Sequence, residues 1–331
     1  MDHPVNQTDI QQAMLDQQKA DHRRKHLLNL VLLVLLLIAP AVIYPVFLMK
    51  ILCFALFAVA FNLLLGFTGL LSFGHAAFLA TGSYTTGYLL SNYSGLTTEM
   101  GIIVGTAAAT VLGVLFALVA IRRQGIYFAM ITLALAQLVY FMFVQAPFTG
   151  GEDGMHGVPR GHLFGFIDLE NNLAMYYFVL AVFLGGYLLV QRVVGSPFGQ
   201  VLKAIKQNEP RAVSLGYNVN QYKILAFVMS AGLAGLAGSV KTVVFQLASL
   251  NDAHWHMSGE VILMTLLGGT GTLLGPVVGA TFVVNLEYQL SQGPLGDWVD
   301  PILGAIFVLT VIAFRSGIVG EIQKFVQKNM G

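Results

Sequence analysis

The chain has 331 residues, of which 56% are hydrophobic and only 10% charged, with a mean hydropathy of +0.74. A soluble domain carries about 25% charged residues to cover its surface, so the composition excludes one and points to the lipid bilayer. The net charge of +1 excludes a dedicated nucleic-acid binder, and the single cysteine, Cys53, excludes a disulfide framework.

The polar start, residues 1–26, ends in Arg23-Arg24-Lys25 and gives way to an apolar run from Leu27 to Ile38. Ala39-Pro40-Ala41 resembles a small-x-small cleavage site. The residues that follow are again apolar, so the run reads as an uncleaved first helix. Apolar blocks then succeed one another at 46–66, 73–92, 99–121, 125–146, 173–191, 222–245, 259–268, 273–290 and 301–315. A spanning helix needs about 20 apolar residues, so 259–268 crosses only if it starts deeper or re-enters. The reading is an all-α polytopic bundle of eight to ten transmembrane helices, one membrane domain over 27–315, with a tail at 316–331.

Cytoplasmic loops collect Lys and Arg. With the amino terminus inside and ten crossings, only Lys50, Arg160 and Lys241 fall at the outer side, leaving 14 of the 17 basic residues inside. Both termini are therefore expected in the cytoplasm.

Two connections exceed simple turns. Pro147 to Asn172 faces outward and carries Glu152, Asp153, Asp168 and Glu170, with glycine turns between Thr149 and Arg160. Asp153 and His156 lack a third ligand, so no metal centre is expected there. Beyond it, Trp255 between His254 and His256 reads as an interface anchor in an outer loop. The second connection, Arg192 to Tyr222, is basic and faces the cytoplasm. Ser196-Pro197 is an N-cap and first-position pair. Val201, Leu202 and Ile205 form one helical face, and Lys203, Lys206 and Gln207 the other. Asn208 ends this helix, Pro210 opens a second and Gly216 closes it. Two such helices suit a lever driven by a soluble partner, or an amphipathic loop resting on lipid.

Leu65-Gly66-Phe67-Thr68-Gly69-Leu70-Leu71 is echoed by Leu267-Gly268-Gly269-Thr270-Gly271-Thr272-Leu273. Glycine interruptions in matching positions point to a transport site or to close helix packing. Of the intramembrane ionisable groups, His75 either lines a path or bonds a neighbouring carbonyl. Lys50, Lys241, Glu260 and Glu287 are expected to snorkel to the interface. No Gly-x4-Gly-Lys-Ser/Thr phosphate loop occurs in the chain.

Four stretches carry a family resemblance: Asn62 to Phe78, Thr149 to Arg160, Ser196 to Gly216 with Ala226-Phe227 and Ala231 to Gly238, and Leu267 to Ala280. The chain resembles the permeases of branched-chain amino acid ABC transporters, specifically the M-type subunit of the high-affinity leucine/isoleucine/valine system. The resemblance implies a type II importer-like fold in the bacterial inner membrane and a heterodimer with a second homologous permease. It also implies two cytoplasmic ATPase subunits, a periplasmic solute-binding protein, no cofactor and no bond chemistry in this chain. Gly199, Lys203, Glu209, Ala212 and Gly216 then belong to the ATPase-coupling loop, with Pro210 where an aliphatic residue is expected. Thr68, Gly69, Ser72, Gly74, His75, Thr270 and Gly271 are the candidates for the translocation path. A permease for urea or short amides and a stand-alone carrier or channel are the alternatives.

Overall fold

The computed structural model describes residues 34–313, except 94, 164, 166, 294 and 295, together with 317–321. The segment 1–26, most of the first apolar run and the end of the tail lie outside the described residues, as do the expectations that fall on them.

Eleven helices from residue 45 onward are the main described elements: α1 (Pro45–Thr68), α2 (His75–Asn92), α3 (Thr98–Ala120), α4 (Ile126–Gln145), α5 (Asn172–Gly195), α6 (Pro197–Gln207), α7 (Glu209–Ser214), α8 (Val219–Phe245), α9 (Trp255–Gly268), α10 (Gly275–Ser291) and α11 (Val299–Ala313). Five of them (α1, α3, α4, α5 and α8) are long and apolar enough to cross a membrane. α9 begins four residues before its apolar block, at Trp255, so this tryptophan opens a helix rather than lying in a loop.

α1 is the central pillar. It is apolar on all sides, and 83% of its most hydrophobic stretch is buried inside the protein, against 33% in α3 and 28% in α4. A helix apolar all round is covered all round; α3 and α4 instead turn Ile103, Leu115, Leu118, Met130, Leu138 and Phe141 outward, as a helix facing hydrocarbon does.

α2 is too polar to qualify by hydropathy, yet it is deeply buried. Its hydroxyls find partners across helices: Ser83 Oγ and Thr242 Oγ1 share a short hydrogen bond, and Thr86 Oγ1 donates to the Gly101 carbonyl at 3.1 Å. Small residues let the backbones close in. A Cβ on Gly82 would stand 2.1 Å from the Gly235 carbonyl oxygen, and one on Gly238 would stand 1.9 Å from that of Leu79.

The helix ends sort onto two faces. One carries the ends of α1 and α9, the starts of α2, α10 and α8, and the α6–α7 elbow. The opposite face is closed by two short antiparallel pairs, β1 (Met155–His156) with β4 (Leu247–Ala248) and β2 (His162–Leu163) with β3 (Ile167–Asp168). Gly154, at φ 76°, is required here, because a Cβ would meet the Ala248 carbonyl oxygen at 2.4 Å. Buried Arg160 ties this lid down, donating to Asn172 Oδ1 at 2.9 Å and to the Val244 carbonyl at 2.8 Å.

Candidate functional site: the elbow and the paired glycine turns

The elbow folds as its caps dictate. The Ser196 hydroxyl accepts from the Gly199 amide at 3.4 Å, Pro197 takes the first helical position, and α6 runs to Gln207. Asn208 caps α7 by accepting from the Arg211 amide at 3.1 Å. Pro210 falls in the first turn of α7, where its missing N–H costs nothing. Gly216 follows at φ 86°.

Within the elbow, Leu202 and Ile205 are buried as the amphipathic reading requires. Lys206 is exposed, as the polar-face reading has it. Position 206 nevertheless lies four residues after Leu202, only about 40° away around a 3.6-residue helix, so its long side chain can reach the bundle. Its Nζ donates to the Gly66 carbonyl at 2.7 Å. Burial lowers the Lys206 pKa from the ordinary lysine value. Lys203 lies over the Phe67 ring at 5.9 Å.

Glu209 is an internal tie. It accepts from Lys223 Nζ and from Gln124 Nε2, both at 2.8 Å, and joins α7 to α8 and to the α3–α4 turn. Ala212 is the buried residue of α7. Gly199 is fixed by space, since a Cβ would stand 2.4 Å from the Val194 carbonyl oxygen. Of the five residues expected in a coupling loop, Glu209, Ala212 and Gly199 thus hold the elbow's shape. The surface it presents is made by others: Val213, Leu215 and Tyr217 are 56%, 68% and 41% exposed, beside exposed Arg211.

Lys206 points at a junction. α1 ends with Gly69 at φ 77°, its amide bonded to the Leu65 carbonyl at 3.2 Å, a left-handed cap that glycine adopts without strain. α9 ends at Gly268, followed by Gly269 at φ 119° and Gly271 at φ 77°. The two echoing segments meet in space. Asn62 Oδ1 accepts from the Gly271 amide at 3.0 Å, and Asn62 Nδ2 donates to the Thr272 carbonyl at 2.8 Å. A Cβ on Gly66 would come within 2.7 Å of the Gly271 nitrogen.

The other path candidates are distributed around this junction. The Thr68 hydroxyl bonds back to the Leu64 carbonyl, and Ser72 Oγ accepts from the Gly74 amide at 3.1 Å at the start of α2. Thr270 is half-buried on the turn. His75 is fully buried among Phe61, Phe78 and Phe227. Its Nε2 lies 2.8 Å from Ser230 Oγ, whose own proton goes to the Ala60 carbonyl at 2.5 Å. Nε2 therefore carries the hydrogen. In this conformation His75 faces a neighbouring helix.

Sequence reasoning missed Asn62 as a tie and Asp252 altogether. The four ionisable groups expected to snorkel instead gather near the strand face. Lys50 pairs with Glu287 at 3.2 Å, Lys241 pairs with buried Asp252, and Glu260 lies between the pairs. The imidazole of His156 bonds the Asp153 carbonyl at 2.9 Å, and among the described residues no three potential ligands gather for a metal.

Comparison with known proteins fits this architecture. The chain is 24% identical over 274 residues to the high-affinity branched-chain amino acid transport system permease protein LivM of Escherichia coli (strain K12), a match covering 76% of this chain and 64% of that protein. The Salmonella typhimurium LivM is equally similar, 24% over 278 residues, with the same coverage. The chain thus spans a little under two thirds of the length of these relatives. The autoinducer 2 import system permease protein LsrC of Klebsiella pneumoniae is 31% identical over 142 residues, 41% of this chain and 40% of that one. No solved structure is significantly similar. The match that decides the family runs over residues 45–311, from the first residue of α1 almost to the end of α11: the chain belongs to the family of permease components of branched-chain amino acid transport systems.

Proposed function

We infer that this chain is the membrane permease of an ATP-driven importer of branched-chain amino acids. It works by alternating access as one half of a heterodimer with a second permease, in a bacterial inner membrane. Two ATPase subunits drive it from the cytoplasm, and a periplasmic binding protein delivers solute to the strand face. The observation that carries this reading is the elbow. Its outer surface offers Val213, Leu215 and Tyr217 to a partner, while Lys206 on its inner surface bonds the carbonyl that ends α1. A push on α7 is thereby delivered to the glycine turns. The absence of a phosphate loop from the sequence supports placing nucleotide binding on another subunit.

Leu215→Asp tests this on a residue with no internal tie to lose. The variant is expected to fold and reach the membrane, yet to lose co-purification with the ATPase subunits and uptake of labelled leucine. Wild-type uptake with no ATPase bound overturns the reading. The stretch shared with an autoinducer 2 import permease supports a second reading, an importer of autoinducer 2, which uptake of labelled autoinducer 2 in place of leucine separates.

A further inference from the structure

Near the strand face, α9, α10, α11 and the turn before α9 line an open-sided cavity of about 440 Å³, within the ~300–1,000 Å³ range of small-molecule sites. Its lining divides by chemistry. Met257, Val299 and Leu303 form an apolar wall, Glu260 and Glu287 supply carboxylates, and Asn251, His254 and His256 complete the rim.

The charges of this region do not cancel. Lys50 Nζ donates to Glu287 Oε2 at 3.2 Å, and Lys241 Nζ donates to Asp252 Oδ1. Both ammonium groups also lie against the Phe54 ring, at 5.9 Å and 5.4 Å. Two cations thus serve two carboxylates, and Glu260 has no hydrogen bond or ion pair among the described residues. Asp252 is 2% exposed and leaves Oδ2 unbonded, so acceptors exceed donors. A carboxylate set within a membrane bundle is costly unless a cation joins it.

The rim offers the complement. His254 Nδ1 accepts from the His256 amide at 3.4 Å, which leaves its Nε2–H free to donate, and the exposed Asn251 side chain adds an amide donor.

We propose that this cavity binds an aliphatic α-amino acid, its ammonium on Glu260, its carboxylate on the His254 and Asn251 donors, and its side chain against Met257, Val299 and Leu303. The proposal rests on the importer reading and deepens it. The permease then holds its own station for the solute, and Glu260 discriminates a zwitterion from an uncharged molecule of similar size.

The test uses the full-length permease in lipid nanodiscs with its ATPase subunits and without binding protein, probed with tritiated leucine. Saturable binding is expected, displaced by valine but not by 4-methylpentanoate, which lacks the ammonium, nor by uncharged erythritol. Glu260→Gln weakens binding about tenfold or more, the range of a charge-assisted hydrogen bond. Leu303→Trp fills the cavity and removes binding. The competitor series needs no variant, so misfolding cannot mask the answer. Equal displacement by 4-methylpentanoate, unchanged binding in Leu303→Trp, or no binding to wild type each overturns the proposal. Leucine uptake by the complete importer is measured in parallel. Uptake without cavity binding refutes the cavity alone, whereas no wild-type leucine uptake refutes the substrate reading and the cavity with it.

Discussion

Replacing Lys206 with alanine removes one hydrogen bond, from its ammonium to the Gly66 carbonyl at 2.7 Å. The last four carbonyls of a helix have no partner within it. In α1 the Leu65 carbonyl is taken by Gly69 and that of Gly66 by Lys206. A hydrogen bond to a charged group contributes about 1.5–3 kcal/mol, and a cation at a helix C-terminus adds about 0.3–1 kcal/mol. The contact is only half-buried, which places the sum near the low end, at about 1.5 kcal/mol, or about tenfold in an equilibrium constant. That energy ties α6 to α1, so its loss lets the elbow move without the bundle. In the reconstituted importer, Lys206→Ala is expected to assemble and hydrolyse ATP near the wild-type rate while solute moved per ATP falls about tenfold. Lys206→Arg keeps a donor on a long stem and recovers part of the loss. An unchanged ratio of solute to ATP in Lys206→Ala refutes the transmission role.

Asn62→Leu severs both bonds to the α9–α10 turn and leaves two backbone groups unpaired, so stability falls by about 2–3 kcal/mol, read as a lower unfolding temperature in detergent. Glu209→Gln strands Lys223, whose side chain is only 5% exposed; faster tryptic cleavage of the elbow is expected, and Glu209→Gln/Lys223→Met together cost less than the sum of the single changes. Gly82→Ala, facing the Gly235 carbonyl, costs about 1–3 kcal/mol by overpacking, whereas Gly185→Ala, with nothing within 4 Å, is neutral or stabilising by up to about 1 kcal/mol; equal melting temperatures refute the close-crossing account. The Lys206 pKa lies below the ordinary lysine value of about 10.4, so the folded protein sheds this proton first. Stability relative to Lys206→Met therefore rises with pH through the interval between the folded and the ordinary value, measured by thermal unfolding across alkaline pH.

The parts legible in the sequence are those governed by local rules. Hydropathy placed α1, α3, α4, α5 and α8 within a few residues, because each is a long apolar run bounded by polar or glycine signals. The elbow was equally legible, since Ser196, Asn208 and Gly216 act on amides and dihedrals within four residues of themselves. Lys206 sits on the exposed side as expected, but its bond to the Gly66 carbonyl was not legible, as a long side chain at the boundary can turn either way. The charge cluster near the strand face was beyond local reasoning. Lys50 and Glu287 are 237 residues apart, and nothing near either one encodes the other. Expecting them to snorkel treats each helix as alone in lipid, but here Lys50 and Lys241 pair with carboxylates of other segments, Glu287 and Asp252.

The two kinds of glycine contact in this bundle also divide it mechanically. Where α2, α3 and α8 cross, glycines and alanines bring backbone against backbone, as Gly82 does at Gly235 and Gly238 at Leu79. Such contacts have no alternative partners and close-packed surfaces deform little, so these three helices move as one body. At the junction of the α1–α2 and α9–α10 turns Gly66 also approaches the Gly271 backbone, but hydrogen bonds from Asn62 and Lys206 add ties of another kind. These can be exchanged for water or for another carbonyl at a net cost of about 1 kcal/mol each. The left-handed residues there, Gly69 and Gly271, are those whose dihedrals change most cheaply. On the proposed mechanism, a bundle driven from the elbow is expected to yield at this seam before it yields at the α2–α3–α8 crossing, and the lysine that bonds the seam is the one the elbow carries.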